Sequence, residues 1–105
     1  MSGWVYMMAD RYRGAIYTGV TADLPIRVTA HREGRGSKFC AHYGLKRLVY
    51  AEEHDDIYEA IAREKAIKKW RRAWKIELIE RANPNWVDLY DRINWSEAGP
   101  PLSRG

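Results

Sequence analysis

The segment VYMMADRYRGAIYTGVT, residues 5–21, contains two short runs of β-forming residues separated by a polar stretch. Residues 4–8 and 15–20 are rich in Val, Ile, Tyr and Met, a composition that favours strands. The ADRYRG stretch between them is polar and ends in Gly14, as expected for a turn. The segment therefore predicts a β-hairpin, against which the rest of the chain can pack.

The residues after the hairpin predict a helix, a connector and a third strand. Thr21 or Asp23 can cap a helix over residues 24–33. The Gly-rich, basic connector GRGSKFCAHYG at residues 34–44 has room for one helical turn. Residues 45–54 have the apolar centre and the polar ends of a strand.

The second half of the chain predicts helices. Asp55 or Asp56 can cap a long helix that runs towards Trp74 and continues until Asn83-Pro84 breaks it, and a short helix follows at residues 86–90. The predicted order is β-β-α-β-α-α. This order indicates an α+β domain with a small three-stranded, antiparallel-type sheet flanked by helices.

Length and composition limit the organisation of the protein. A chain of 105 residues suits one domain, predicted over residues 1–92, with residues 93–105 as a flexible tail. The net charge of +4 fits an anionic partner. Cys40 is the single cysteine, so no intrachain disulfide can form and a reducing compartment is favoured. The N-terminus lacks a signal-peptide pattern and no apolar run approaches a membrane span, so we expect a cytoplasmic protein that has no membrane partner.

Glu64 is a carboxylate on the apolar side of a predicted helix. At about 100° per residue, Glu64 lies in the middle of a stripe that includes Ile57, Ile61 and Ile67. A buried carboxylate must be paired, protonated or bound to a metal, because an isolated buried charge is too costly. Two interpretations remain open at this point, an internal salt bridge with an arginine and a ligand for Mg²⁺ or Mn²⁺.

A second group of polar residues is predicted near one edge of the sheet. Arg27 and His31 are four residues apart, so they share one helix face that points partly inward. Tyr6 and Tyr17 can lie side by side across the hairpin. Taken singly, each residue has an ordinary structural explanation. Together with Glu64 they suit phosphodiester hydrolysis, which uses a carboxylate-bound metal, a guanidinium for the phosphate, and a phenol or imidazole for the attacking water.

The chain resembles the GIY-YIG nuclease superfamily, in particular its small stand-alone bacterial members. The two halves of the signature are matched by WVY at residues 4–6 and YTG at residues 17–19, which both keep their tyrosine. DLPIRVTAHREG at residues 23–34 continues the pattern, as do EAIAREKAIKKWRRAWKIELI at residues 59–79 and the NPNW that follows. The resemblance extends over about residues 4–90 and implies a metal-dependent endonuclease.

The resemblance also implies a role for individual residues. Tyr6 and Tyr17 would be the paired active-site tyrosines, with Tyr17 the activator of water. Arg27 would contact the scissile phosphate, and His31 lies where family members carry a second catalytic side chain. Glu64 would be the single carboxylate that binds Mg²⁺ or Mn²⁺.

Two further positions follow from the same resemblance. Gly19 would let the backbone pass close to the site. A family asparagine near the end of the domain is matched by Asn83 or Asn85, of which Asn83 is preferred. The family's separate DNA-binding domain has no counterpart in the sequence, so a partner protein that supplies specificity is one expectation.

The basic residues predict contacts with nucleic-acid phosphates. Those assigned to this role flank the connector and line the long helix: Arg35, Lys38, Lys65, Lys68, Lys69 and Arg72. Trp70 and Trp74 are predicted to pack onto the sheet in preference to stacking on bases. No base-reading motif is visible, which favours structure-selective cleavage of branched or damaged DNA. An adaptor that binds nucleic acid without cutting it is the alternative, and RNA as a substrate stays open.

Overall fold

A computed structural model describes residues 1–93 of the chain. Its strands are β1 (Gly3–Ala9), β2 (Ile16–Thr21) and β3 (Arg47–His54). Its helices are α1 (Leu24–Arg32), α2 (Lys38–Tyr43), α3 (Ile57–Lys68), α4 (Arg72–Ala82) and α5 (Tyr90–Ile93). The strands form one sheet in the order β2-β1-β3, and both pairings are antiparallel. The predicted α+β class and three-stranded antiparallel sheet are confirmed. The predicted tail lies outside the described residues, apart from Ile93.

The hairpin forms as predicted and makes β1 the central strand. Met8 lies opposite Tyr17 and Tyr6 lies opposite Gly19. A polar turn closes the hairpin, where the carboxylate of Asp10 accepts a 2.8 Å hydrogen bond from the backbone N–H of Ala15. Because residues opposite each other in an antiparallel pair project to the same face, Tyr6 and Tyr17 share one face of the sheet.

Side chains of β1 alternate between two cores, one on each face of the sheet. Val5 and Met7 belong to a core that includes Ile67 of α3 and Ile79 of α4. The other core contains residues of β1, α1, α2 and β3: Tyr6, Met8, Leu24, Val28, Cys40 and Leu48. The strand is therefore buried on both faces, and Tyr6 lies in the core on the side of α1.

The predicted caps of α1 and α3 are confirmed. The Asp23 carboxylate accepts from the N–H of Ile26, and the Asp56 carboxylate accepts from the N–H of Tyr58. These bonds satisfy N–H groups that a helix cannot pair internally. They fix where α1 and α3 begin, and hence the angular positions of the residues that follow.

The predicted long helix is wrong, because it is interrupted between Lys68 and Arg72. Trp70 turns inward there and packs, half-buried, against the core of α3 and α4. Trp74 contacts it edge to face with ring centroids 6.1 Å apart but is 50% exposed. The helical-wheel positions therefore hold for α3, which contains Glu64, and not for α4.

Two short helices complete the fold, and the second differs from the expectation. The connector holds α2, which Ser37 caps through its hydroxyl and which Gly44 ends in a left-handed conformation. The last short helix begins at Tyr90, whose N–H is bonded to the Asp88 carboxylate. It does not cover residues 86–90, because Trp86 is buried with a positive φ of 56°. Within residues 1–93, no helix has the length and apolar character needed to cross a membrane.

Candidate active site

Tyr6 is the centre of the candidate site and is 1% exposed. Its neighbour across the hairpin is Gly19, which has no side chain. A Cβ atom at position 19 would lie 2.5 Å from both Cζ and Oη of Tyr6, a distance at which real atoms clash. Gly19 therefore leaves the space that the phenol of Tyr6 occupies, which is a specific reason for a glycine inside a strand.

His31 lies beside Tyr6 and is also 1% exposed. Its Nε2 atom is 2.7 Å from the Tyr6 hydroxyl oxygen. The other ring nitrogen, Nδ1, accepts a 3.2 Å hydrogen bond from the backbone N–H of Ser37. A Cβ at Gly36 would lie 2.3 Å from Nδ1, so the glycine allows this loop to close over the ring.

These contacts assign the direction of the Tyr6–His31 hydrogen bond. Nδ1 accepts a hydrogen bond from a backbone N–H, so in the neutral ring Nδ1 carries a lone pair and Nε2 carries the hydrogen. Nε2 of His31 therefore donates to the oxygen of Tyr6. The hydroxyl hydrogen of Tyr6 is then free to donate to another acceptor.

The electrostatic environment keeps both members of this pair neutral. Burial, and after it the positive charge of Arg27, lowers the pKa of His31 to about 4. Burial raises the pKa of Tyr6 above its ordinary value, and the second cause of the raised pKa is the neighbouring Tyr17. At neutral pH the pair is thus an uncharged imidazole that donates to an uncharged phenol.

Tyr17 lies on the open side of this pair and is partly exposed. Its ring centroid is 6.3 Å from that of Tyr6 and 5.4 Å from that of His31. The ammonium of Lys68 lies 5.8 Å from the centroid of the Tyr17 ring. Tyr17 is consequently the phenol of the site that solvent can reach.

Glu64 is buried, as its position on the helical wheel predicts, with a relative exposure of 7%. Its Oε2 atom is 2.6 Å from Nζ of Lys68, one helical turn later. The salt-bridge partner is therefore a lysine of the same helix, and the expectation of an arginine is wrong. The Glu64 charge raises the pKa of Tyr6 and the Arg27 charge lowers it, so both charges act on the same phenol.

Arg27 differs in burial from His31, its neighbour on the same face of α1. Its side chain is exposed, whereas the expectation was that both Arg27 and His31 would point partly inward. The reason is the loop after α1, which covers His31 and leaves the preceding turn open. Among the ion pairs of residues 1–93 none includes Arg27, so its guanidinium is available to an anion.

Asn83 is buried but its polar groups are occupied by backbone. Its amide nitrogen donates to the carbonyls of Val49 at 3.0 Å and Val87 at 2.9 Å. Its amide oxygen accepts from the N–H of Val87 at 3.1 Å. Asn83 thus joins the end of α4 to β3 and to the following turn.

The predicted phosphate-binding residues divide into two groups. All six are exposed, and three of them, Lys38, Lys65 and Lys69, take part in no ion pair within residues 1–93. The others already have partners within the protein, and these pairings are Arg35 with Glu33, Lys68 with Glu64, and Arg72 with the carbonyls of Arg13 and Gly14. Arg72 therefore anchors the start of α4 to the hairpin turn, in addition to any contact with a ligand.

A metal ion at this site would have Glu64 as its one carboxylate ligand. Within residues 1–93 there is no group of three or more His, Cys, Asp or Glu side chains that could hold an ion by itself. Mg²⁺ commonly binds through one or two carboxylates, with water and substrate phosphates completing the shell. A single buried carboxylate whose charge acts on the phenol of Tyr6 fits an ion of this kind that is held jointly with a phosphate.

Sequence reasoning missed two features of the site. Lys68 was assigned to phosphates, although its spacing of four residues from Glu64 indicated an ion pair. Gly36 and Ser37, which hold the His31 ring, carried no signal beyond a Gly-rich connector. Only the three-dimensional path of that connector brings them to His31.

Comparison with known proteins identifies the family that the chain resembles. The sequence-family model of the GIY-YIG catalytic domain matches residues 2–77 of this chain. A UPF0213 protein of Clostridium perfringens is 42% identical over 80 residues, which cover 76% of this chain and 86% of that protein. A UPF0213 protein of Staphylococcus aureus is 37% identical over 67 residues, with coverage of 64% and 82%. The solution NMR structure of a UPF0213 protein from Bacillus halodurans aligns with a TM-score of 0.53 and 27% identity, covering 91% of this chain and 98% of that one.

Proposed function

Because this chain belongs to the GIY-YIG catalytic domain family, we propose that it is a divalent-metal-dependent endonuclease that hydrolyses DNA phosphodiester bonds. The observation that carries the proposal is the buried hydrogen bond between His31 and Tyr6, which lies beside Tyr17 and within the electrostatic influence of Glu64 and Arg27. A hydrophobic core has no need of such a pair, because buried polar groups add desolvation cost.

The proposed mechanism assigns each side chain a task at the phosphate. Arg27 binds the non-bridging oxygens with its exposed guanidinium and stabilises the charge that develops on them. The hydroxyl oxygen of Tyr17, a partly exposed residue, accepts a hydrogen bond from the attacking water and orients it. Tyr6 receives a hydrogen bond from His31 and directs its own O–H at the substrate. Water then bonds to phosphorus as the bond from phosphorus to the leaving sugar oxygen breaks. The leaving oxygen keeps the electron pair of that bond and becomes a hydroxyl by taking a proton from solvent, which also receives the proton that the attacking water loses.

Glu64 is the residue that would hold Mg²⁺ or Mn²⁺. When bound, the ion supplies a Lewis acid for the phosphate and the leaving oxygen. Lys68 occupies one oxygen of the same carboxylate, so Lys68 has to share or release that oxygen. Asn83 is proposed to act indirectly, by fixing α4 against β3, and to make no contact with the phosphate.

We further propose that the substrate is branched or damaged DNA. The exposed cations of the chain contact phosphates without reading bases, and Lys38, Lys65 and Lys69 are the candidates for this role. Selectivity would then come from the shape of the nucleic acid or from a protein partner. RNA of similar shape is a further substrate to test.

The experiment is cleavage of labelled linear, flapped and four-way branched DNA at low salt with Mg²⁺ or Mn²⁺. Wild type should cut a branched substrate, and EDTA should stop the reaction. Glu64→Gln should lose roughly 100-fold or more of the activity while keeping the fold. Glu77→Gln is the matched control, since Glu77 is exposed on the neighbouring helix. Equal cleavage by wild type and Glu64→Gln would contradict the proposal.

A second candidate function is a nucleic-acid-binding adaptor with the same fold. The Lys68–Glu64 ion pair favours it, because a neutralised carboxylate has less need of a metal. An adaptor would bind DNA with and without divalent ions and cut none of the substrates. Metal-dependent cleavage that is lost in Glu64→Gln, with DNA binding retained, would exclude it.

A further inference from the structure

Helix α2 presents two aromatic side chains to solvent. Phe39 is 41% exposed and Tyr43 is 56% exposed. They lie one helical turn apart, with ring centroids separated by 4.8 Å. Cys40 is the buried residue of this helix, so the packing of α2 onto the protein does not require the two exposed rings.

The two rings continue directly from the candidate active site. Phe39 stacks on Tyr17 with a centroid distance of 6.3 Å and an interplanar angle of 27°. Tyr17 in turn contacts His31, which is bonded to Tyr6. A single exposed aromatic residue needs no functional explanation, but this series extends from the buried pair to the surface.

The aromatic surface of Phe39 and Tyr43 is also fixed in position relative to Tyr6 and His31. Ser37 caps α2 with its hydroxyl, and the backbone N–H of the same residue binds Nδ1 of His31. Gly44 ends the helix directly after Tyr43. A ligand bound to these rings would therefore have a defined distance from Tyr17.

The charges around the aromatic surface suit a polyanion. Lys38 precedes Phe39 and is exposed, and the ammonium of Lys68 lies 5.8 Å from the centroid of the Tyr17 ring. Helix α2 itself contains no carboxylate. Cations beside exposed aromatic rings are the combination that binds single-stranded nucleic acid, where bases stack on rings and phosphates pair with cations.

We propose that Phe39 and Tyr43 form a stacking surface for an unpaired nucleobase next to the phosphate to be cut. This inference rests on the proposed nuclease function and specifies its substrate as DNA that carries unpaired nucleotides at the cleavage site. A fully paired duplex keeps its bases stacked within the helix and cannot use the two rings. The surface thus provides a reason for selecting branched or flapped DNA that needs no base-reading element.

The test compares binding of a duplex and of the same duplex with an unpaired flap, by fluorescence anisotropy in EDTA. The double variant Phe39→Leu/Tyr43→Leu keeps apolar side chains but removes both π faces. It should lose about 5- to 100-fold in affinity for the flapped DNA and little for the duplex. Tyr58→Leu is the control, since Tyr58 is 76% exposed on α3 and belongs to no aromatic pair within residues 1–93.

Other outcomes separate this inference from the nuclease proposal. If the double variant loses affinity equally for both DNAs, or for neither, the proposed stacking surface is wrong. The two rings would then be a candidate contact for a protein partner. A 2-aminopurine in the flap should be quenched when wild type binds, and unchanged fluorescence would also overturn the inference. Binding and quenching without cleavage in Mg²⁺ or Mn²⁺ would support the stacking surface and contradict the nuclease.

Discussion

Acidification from pH 7 to pH 4.5 is expected to destabilise the fold through His31, which is buried in its neutral form. Its ordinary pKa of 6.5 is lowered to about 4 in the folded protein by burial and then by Arg27. Between these values the unfolded chain binds a proton that the folded chain excludes. The contribution of His31 to the free energy of unfolding is therefore complete above pH 6.5 and decreases towards pH 4. The loss between pH 7 and pH 4.5 is about 2 kcal/mol.

The groups that surround His31 cannot accommodate the added charge. Its Nε2 atom already donates to Tyr6, while Nδ1 would gain a proton that faces the backbone N–H of Ser37. Arg27 is itself positive. Burial raises the pKa of Glu52, but its hydrogen bonds outweigh burial and lower the pKa below the ordinary value of 4.5, while the hydrogen bond from Arg13 lowers the pKa of Glu80 to about 2. The unfolded chain protonates such carboxylates near pH 4.5, so the stability that they contribute is lost mainly below that pH.

The assay is urea unfolding followed by tryptophan fluorescence at half-unit steps of pH. His31→Gln should be less stable than wild type at pH 7, because the hydrogen bonds of the imidazole are lost. Its stability should nevertheless stay nearly constant down to pH 4.5, so that the two curves converge. His42→Gln, which removes an exposed histidine of α2, should keep the wild-type slope. Parallel curves for wild type and His31→Gln would refute the reasoning.

Three other substitutions test the structural roles assigned above. Gly19→Ala should destabilise the protein by about 1–3 kcal/mol and abolish cleavage, because the new methyl group meets the phenol of Tyr6; urea unfolding and a cleavage assay measure the two effects. Asn83→Ala should cost about 2–4 kcal/mol through lost backbone hydrogen bonds, yet the folded fraction should keep its cleavage rate, and a large loss of rate in folded protein would contradict a purely structural role. Lys68→Met should strengthen Mg²⁺ binding about fivefold, as expected from removing a half-exposed ion pair at Glu64; an unchanged Mg²⁺ dependence of the melting temperature would disprove competition for the carboxylate.

Features determined by neighbouring residues could be predicted from the sequence. The hairpin follows from β-forming runs around a polar turn, and it forms between β1 and β2. The burial of Glu64 follows from its angle on α3, which the capping residue Asp56 sets in place. Both predictions need only the period of one element and the position of its start.

Features that depend on distant residues could not be predicted. The break before α4 arises because Trp70 packs into the core, a gain that helical periodicity does not contain. The different burial of Arg27 and His31 has the same origin, since the wheel places them on one face and only the loop of residues 34–37 covers one of them. Asn83 likewise has its partners on β3 and in the following turn.

The positions at which this chain departs from the GIY and YIG signatures are consistent with the proposed site. Val5 projects into the core of α3 and α4, on the face of the sheet away from Tyr6. Thr18 lies opposite Met7 and so faces the same core, where its hydroxyl has no hydrogen-bond partner within residues 1–93. An unsatisfied buried hydroxyl costs about 1–3 kcal/mol, but this cost falls on the core. Trp4, the third altered position, is half-buried on the same face as Tyr6 and packs against the core of α1 and α2. Both tyrosines and the glycine of the second triplet are retained, so the altered triplets change packing and preserve the groups that the proposed chemistry requires.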